Sequence, residues 1–396
     1  MTRHTVTTRE TVVMTESSEP RRPRLALLMG DVAGVGPELV ARVLANCLHN
    51  RQHNWQPLVV GHPDVLTRAL RLVGLDTNVR HVDSARQDNQ PADSQYINCW
   101  NPSDSDVANA PAAQVDPRCG RAAADWLQAA AMAALDDHID ALVTAPLNKT
   151  ALAAAGIDVP GHTELLAQAC QCQSVAMMLY LPPNTAANTA ANTAANTAAS
   201  TISNPSGLGV AHATLHTSIA SVPGLLSIDG IANHISLLDR FLRQVGCVAP
   251  RIAVCALYPH AGEDGLFGDE EQTTIAPAVT AAVAAGIDAH GPFPADTLLR
   301  RAVNGEFDGV VAMYHDQGHI ALKLIGFDSA VNVTLGLPLI RTSPSQGTAF
   351  DIAWQGTANP AGMQAAVDVA LELCHNRTPT PPGPRHDSGQ DTRLED

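Results

Sequence analysis

The chain has 396 residues, 45% of them hydrophobic but only 4% aromatic, and a formal charge of −15. Such a length supplies two domains or lobes with a large core. The negative balance argues against nucleic acid as a partner, because nothing offsets phosphate repulsion, so an anionic substrate must be held by local cations.

Residues 1–23 are polar and end in Pro20-Arg21-Arg22-Pro23; they read as a disordered tail and, lacking an apolar core, not as a secretory signal. Leu25–Met29 is a buried-strand run, and Pro37-Glu38-Leu39-Val40 opens a helix, with proline suited to its first turn. An Ala-rich helix is predicted over Gly120–Asp136, then a strand over Asp140–Thr144. Two strand-like runs, Ser174–Leu181 and Leu208–Thr214, flank four copies of Asn-Thr-Ala-Ala at 184–199. The segment 184–206 reads as a mobile loop insertion with no assigned role. A helix over Asp229–Val245, a strand at 251–257, helices near 270–285 and 295–303, a strand at 309–313 and a helix near 361–374 follow. Residues 376–396, with Thr-Pro-Thr-Pro-Pro-Gly-Pro, form a second tail. Strands alternating with helices define the α/β class. No apolar run approaches ~18 residues, so no membrane span is expected. Eight cysteines are scattered, and Cys170-x-Cys172 has no matching second pair. Reduced thiols in a cytoplasmic protein are the expectation.

Chemistry gathers at the ends of the apolar runs. Met313-Tyr314-His315-Asp316-Gln317-Gly318 closes one run and is followed by Lys323, Asn332 and Arg341, three side chains suited to an anionic substrate. His216 and His260 follow two other such runs. Any one of sixteen histidines is more often structural than a ligand. Shared placement, where α/β sheets build their sites, makes His216, His260 and His315 candidates for one divalent ion. His212 is set aside as a ligand beside His216, because residues four apart in a strand sit ~13 Å apart. Gly30-Asp31-Val32-Ala33-Gly34-Val35-Gly36-Pro37 is a strand-to-helix turn that lacks the dinucleotide fingerprint. Lys149 follows a strand end, and His162-Thr163 opens a helix at 164–170 that Thr163 or nearby groups would cap. Glu263 and Asp296 are candidates for orienting a histidine or moving a proton, with helix capping the plain reading of Asp296.

Together these motifs resemble the 4-hydroxythreonine-4-phosphate dehydrogenase family of pyridoxal phosphate (pyridoxine) biosynthesis, over roughly residues 24–375. The matching pieces are Gly30–Glu38, Gly161–Glu164, Pro259–Glu263, Pro294–Thr297, Met313–Gly318 and Val331–Ser343, in family order. The resemblance implies a two-lobed, isopropylmalate-dehydrogenase-like α/β fold with the active site in the interlobe cleft. Residues 24–145 plus 326–375 would form the first lobe and 146–325 the second. It implies that His216, His260 and His315 bind zinc, magnesium or cobalt, with ligands shared between the subunits of a homodimer. His162, Thr163, Lys323, Asn332 and Arg341 match substrate-contacting positions, and His315, Asp296 and Lys149 are the catalytic candidates. Gly347, Thr348, Asp351 and Asn359 lie in a segment that looks like the superfamily's adenosine-side loop for NAD or NADP. The implied reaction is oxidation of 4-phosphooxy-L-threonine (4-hydroxythreonine 4-phosphate) to a β-keto acid, which decarboxylates to 3-amino-2-oxopropyl phosphate. Asn148, where the family usually has histidine, is similar to the sister group acting on 4-phospho-D-threonate and 4-phospho-D-erythronate. Val32, Gln346 and Trp354 also depart from the usual proline, histidine and glycine. A dihydrodiol dehydrogenase and a non-catalytic binding protein on the same fold are the weaker alternatives.

Overall fold

The computed structural model describes residues 21–49, 54–86, 96–159, 161–183 and 204–377. The Asn-Thr-Ala-Ala block and nearly all of both predicted tails lie outside them. In chain order the elements are β1 (Arg24–Leu28), α1 (Gly36–His49), β2 (Gln56–Val60), α2 (Pro63–Leu72), β3 (Asn78–Val82), β4 (Tyr96–Trp100) and α3 (Pro117–Leu135). Next come β5 (Ala141–Thr144), α4 (Lys149–Ala154), α5 (His162–Ala169), β6 (Ala176–Leu181), β7 (Leu208–His212) and the one-turn α6 (Val222–Leu225). The chain continues through α7 (Ile228–Gln244), β8 (Arg251–Cys255), α8 (Ala276–Ala284), β9 (Asp288–Phe293), α9 (Ala295–Val303) and β10 (Gly309–Ala312). It closes with α10 (His315–Gly326), β11 (Val331–Leu335), β12 (Ile340–Pro344) and α11 (Ala361–His375).

All twelve strands form one sheet in the order β3-β4-β2-β1-β5-β12-β11-β6-β7-β10-β8-β9. The six strands from β3 to β12 run parallel, as do the four from β7 to β9. β11 and β6 are each antiparallel to both neighbours and join the two blocks. Parallel strands covered on both faces must be apolar throughout, and β1, β5 and β10 are buried at every position. The expected α/β class is therefore what the chain forms.

Local chemistry explains the ends of the helices that frame the site. Asn148 Oδ1 accepts from Ala151 N at 3.0 Å and caps α4. Ser227 Oγ does the same for α7, accepting from Gly230 N at 3.1 Å. Gly161, not Thr163, is the N-cap residue of α5, and Thr163 lies inside its first turn, two residues past the cap position. Gly30 is required by its surroundings: it has φ 64°, and a Cβ there would lie 2.2 Å from Pro146 O.

Candidate active site

The β7 and β10 strand ends are stitched together, which brings their histidines close. Thr214 donates to Met313 O through both its amide (3.1 Å) and its hydroxyl (2.8 Å). Gln317 accepts from Met313 N (2.7 Å) and donates to Ala256 O (2.8 Å), tying β10 to the end of β8. On this frame the rings of His216 and His315 stand with centroids 6.0 Å apart. His315 opens α10, and its Nδ1 meets Asp316 Oδ1 at 2.6 Å. With Nδ1 carrying the proton, its Nε2 keeps a free lone pair.

Two further imidazoles extend this pair. His319, one turn along α10, stacks on His315 with centroids 3.7 Å apart and planes at 11°. Its Nδ1 lies 3.0 Å from His212 Nε2, and both side chains are buried. The strand-spacing argument that set His212 aside does not hold, because β7 ends at His212 and the chain then turns. The His212 and His315 rings are 6.2 Å apart, about as close as those of His216 and His315. The readable signal for His319 is its four-residue spacing from His315, which aligns side chains only if the segment is a helix. Burial holds His212 well below the usual imidazole range, reinforced by His319, and brings His319 to about 3, reinforced by His315 and Lys323. Both rings are neutral at pH 7.

His260, itself exposed, follows β8 and opens a run to Asp264 whose residues all have left-handed φ, between 46° and 81°. Buried Glu271 shapes the entry to this run by accepting from Leu257 N (3.0 Å) and Tyr258 N (2.8 Å). Among the described residues no group of three or more His, Cys, Asp or Glu side chains is arranged to hold a metal ion. One chain thus brings together two of the three expected ligands, His216 and His315. Burial and Lys149 lower the pKa of His216, leaving a neutral imidazole of the kind that binds zinc or cobalt.

Beside the histidines lies a cluster of cations. Lys149 Nζ is 3.4 Å from His216 Nε2. Arg341 is 2% exposed, and its Nε and Nη2 donate to Thr144 Oγ1 at 3.1 and 2.7 Å, its Nη1 to Thr334 Oγ1 at 3.1 Å. Burial pulls this guanidinium down to about 9, opposed by Glu164. His162 feels Arg341 and Lys149, which add to burial in holding its ring well below the normal range. Asn332 Oδ1 is buried without a hydrogen-bond partner. Lys323 lies half-buried on α10, its Nζ 5.9 Å from the Phe327 ring centre. Asp296 is exposed in the first turn of α9 and accepts from the adjacent Thr297 N at 2.9 Å, but the N-cap residue is Pro294, so the capping reading does not hold.

The segment expected to hold the cofactor is joined to the first strand-to-helix turn. Val35 N donates to Thr348 O at 3.0 Å, and Trp354 Nε1 to Val32 O at 2.8 Å. Gly347 leaves open space where a side chain would stand, and Asp351 lies in the 3₁₀ turn Phe350–Ile352. Asn359 Oδ1 accepts from Ala361 N at 3.0 Å, at the start of α11. Trp354 has φ 60°, a conformation that glycine adopts freely, and Arg68 stacks on its ring at 3.8 Å. Val32 and Trp354, two departures from the family pattern, therefore touch each other.

The family model for "Pyridoxal phosphate biosynthetic protein PdxA" matches residues 53–370. The chain belongs to this family. It is 41% identical over 358 residues to 4-hydroxythreonine-4-phosphate dehydrogenase of Beijerinckia indica, covering 90% of this chain and 96% of that protein. It is 39% identical over 357 residues to D-threonate 4-phosphate dehydrogenase of Salmonella typhimurium, covering 88% and 98%. Among solved structures, 4-hydroxythreonine-4-phosphate dehydrogenase from Klebsiella pneumoniae superposes with a TM-score of 0.72 at 40% identity, covering 89% of this chain and 99% of that one. The PdxA-family chain described here is accordingly a dehydrogenase.

Proposed function

We propose that this PdxA-family protein oxidises the secondary alcohol of a phosphorylated hydroxy acid, with NAD or NADP as hydride acceptor and a divalent metal ion. The observation that carries the reading is Arg341. Its guanidinium is buried and hydrogen-bonded to hydroxyls, beside His162, Lys149 and the facing His216–His315 pair. A buried cation bonded to neutral oxygens retains charge for an incoming phosphate or carboxylate.

When bound, a dication would supply Lewis acidity at the alcohol oxygen and at the enolate left by decarboxylation, while the nicotinamide accepts the hydride. Neutral imidazoles suit zinc or cobalt better than magnesium. The chain's own groups do the positioning. Arg341, Lys323 and His162, with Thr163 alongside, would hold the substrate's anionic ends, and the unpartnered Asn332 Oδ1 awaits a donor. Of the two residues proposed for the alcohol proton, Lys149 adjoins the imidazoles, whereas Asp296 is exposed in the first turn of α9 and bonded to Thr297 N. Gly347, Thr348, Asp351 and Asn359 would face the cofactor.

His260 would complete the ligand set from a second subunit. Helix α10 supports such a homodimer, because Ile320, Leu324 and the C-cap residue Phe327 are 57%, 82% and 50% exposed along one stripe of the element that His315 opens. The favoured substrate is 4-hydroxythreonine 4-phosphate. D-threonate 4-phosphate is the second reading, supported by Asn148 and by the Salmonella relative.

Cofactor reduction with each phosphorylated acid, with NAD and with NADP, tests both readings. Turnover of 4-hydroxythreonine 4-phosphate supports the first, and turnover of D-threonate 4-phosphate alone replaces it with the second. His315→Ala should lower kcat by ~10²-fold or more; a variant with near-normal kcat would refute the metal assignment.

A further inference from the structure

His315 is the first residue of α10 and its side chain is 35% exposed, so neighbours must restrain its ring. Asp316 holds the Nδ1 edge at 2.6 Å. That contact leaves rotation out of plane unrestrained, and there His319 lies flat against the ring, with centroids 3.7 Å apart and planes at 11°. His319 is itself held. Its Nδ1 meets His212 Nε2 at 3.0 Å, and His212 is packed at the end of β7, with its Nδ1 3.5 Å from Met177 O. A carbonyl only accepts, so His212 Nδ1 carries a proton and its Nε2 is the acceptor; His319 Nδ1–H is then the donor. The direction of the bond settles both tautomers. Gly318 makes room for it: a Cβ there would stand 2.5 Å from His212 Nε2 and 2.7 Å from Val210 Cγ1.

We propose that His319, locked by His212, is a positioning residue that fixes the His315 ring plane so that its free nitrogen faces the site. This rests on the reading of His315 as a metal ligand. Groups that orient a ligand imidazole typically matter by 10–100-fold in metal affinity.

The test compares His319→Phe with His319→Leu in the full-length protein. Both remove the bond to His212, and only phenylalanine keeps a flat ring on His315. Affinity of the metal-free protein for Co(II) and Zn(II), measured by chelator competition, is the first readout, and the split between kcat and KM is the second. His319→Leu should bind metal ~10-fold or more weakly, with kcat lowered and KM little changed, whereas His319→Phe, which keeps the stack but loses the lock, should fall between the leucine variant and the parent. Equal affinities for the leucine variant and the parent overturn the proposal, as does a phenylalanine variant no better than leucine. Gly318→Ala would press on His212 and Val210 and should weaken binding as well; parent-like affinity there removes His212 from the proposal. His315→Ala separates the two ideas. If it retains full metal affinity, the metal reading itself fails, whatever the His319 variants do.

Discussion

At the scale of single residues, the environment of Arg341 decides what the site can hold. Its three hydrogen bonds fan out to two threonine hydroxyls, one on β5 and one on β11. The planar fork is therefore aligned before any ligand arrives. A lysine placed there would keep a charge but lose the fork, and would leave Thr144 with fewer donors. Arg341→Lys should raise KM for the phosphorylated substrate by ~10-fold or more, with a smaller change in kcat; initial-rate kinetics measure both. An unchanged KM would remove Arg341 from anion binding. Trp354 makes a related point about cofactor fit. A left-handed tryptophan costs backbone energy, which its bond to Val32 O and its stacking with Arg68 offset.

Among the elements, α10 joins two properties that are seldom found on one helix. His315 opens it and His319 stands one turn on, while Ile320, Leu324 and its C-cap residue Phe327 are exposed to solvent. If a second copy covers that stripe, assembly and activity are coupled through one element. Leu324→Glu should give a monomer in sedimentation equilibrium and lose activity in proportion, while the far-ultraviolet circular dichroism stays that of the parent. A variant that remains dimeric would move the interface elsewhere.

This helix was also the least legible part of the sequence. Its opening, His315-Asp316-Gln317-Gly318, contains a glycine and lacks apolar periodicity, so the segment reads as the end of a strand. By contrast β1, β5, β8 and β10 were legible because strands buried on both faces must be continuously apolar. β3 was not: Asn78-Val79-Arg80-His81-Val82 lies at the sheet edge with one buried position and little apolar signal. His216 and His315 were identifiable from their place after apolar runs. The partners of Arg341 were not, because Thr144 and Thr334 lie far apart in the chain and meet only through β-pairing.

For the whole molecule, the buried histidines tie stability to pH. Folded, His212 and His319 stay uncharged far below the ~6.5 at which free imidazoles protonate, so the unfolded chain binds more protons as pH falls through that value. Their contribution is complete above ~6.5 and is lost below it, each with a slope of about 1.4 kcal/mol per pH unit. Asp31 works in the opposite direction. Burial raises its carboxyl to about 6, so between ~4 and 6 the folded state holds a proton that the unfolded chain has released. Two imidazoles outweigh one carboxyl. The urea midpoint should therefore fall between pH 7 and pH 5, and a constant midpoint would count against this balance of protons. The order of the strands reaches further still. β11 and β12, the last two strands in the chain, lie at the middle of the sheet and join β5 to β6. During synthesis, the first ten strands must wait with two open edges until residues 331–344 leave the ribosome. A nascent chain stalled before that point would expose both β5 and β6 to pairing with other chains, so this protein should depend on chaperones late in its translation rather than early.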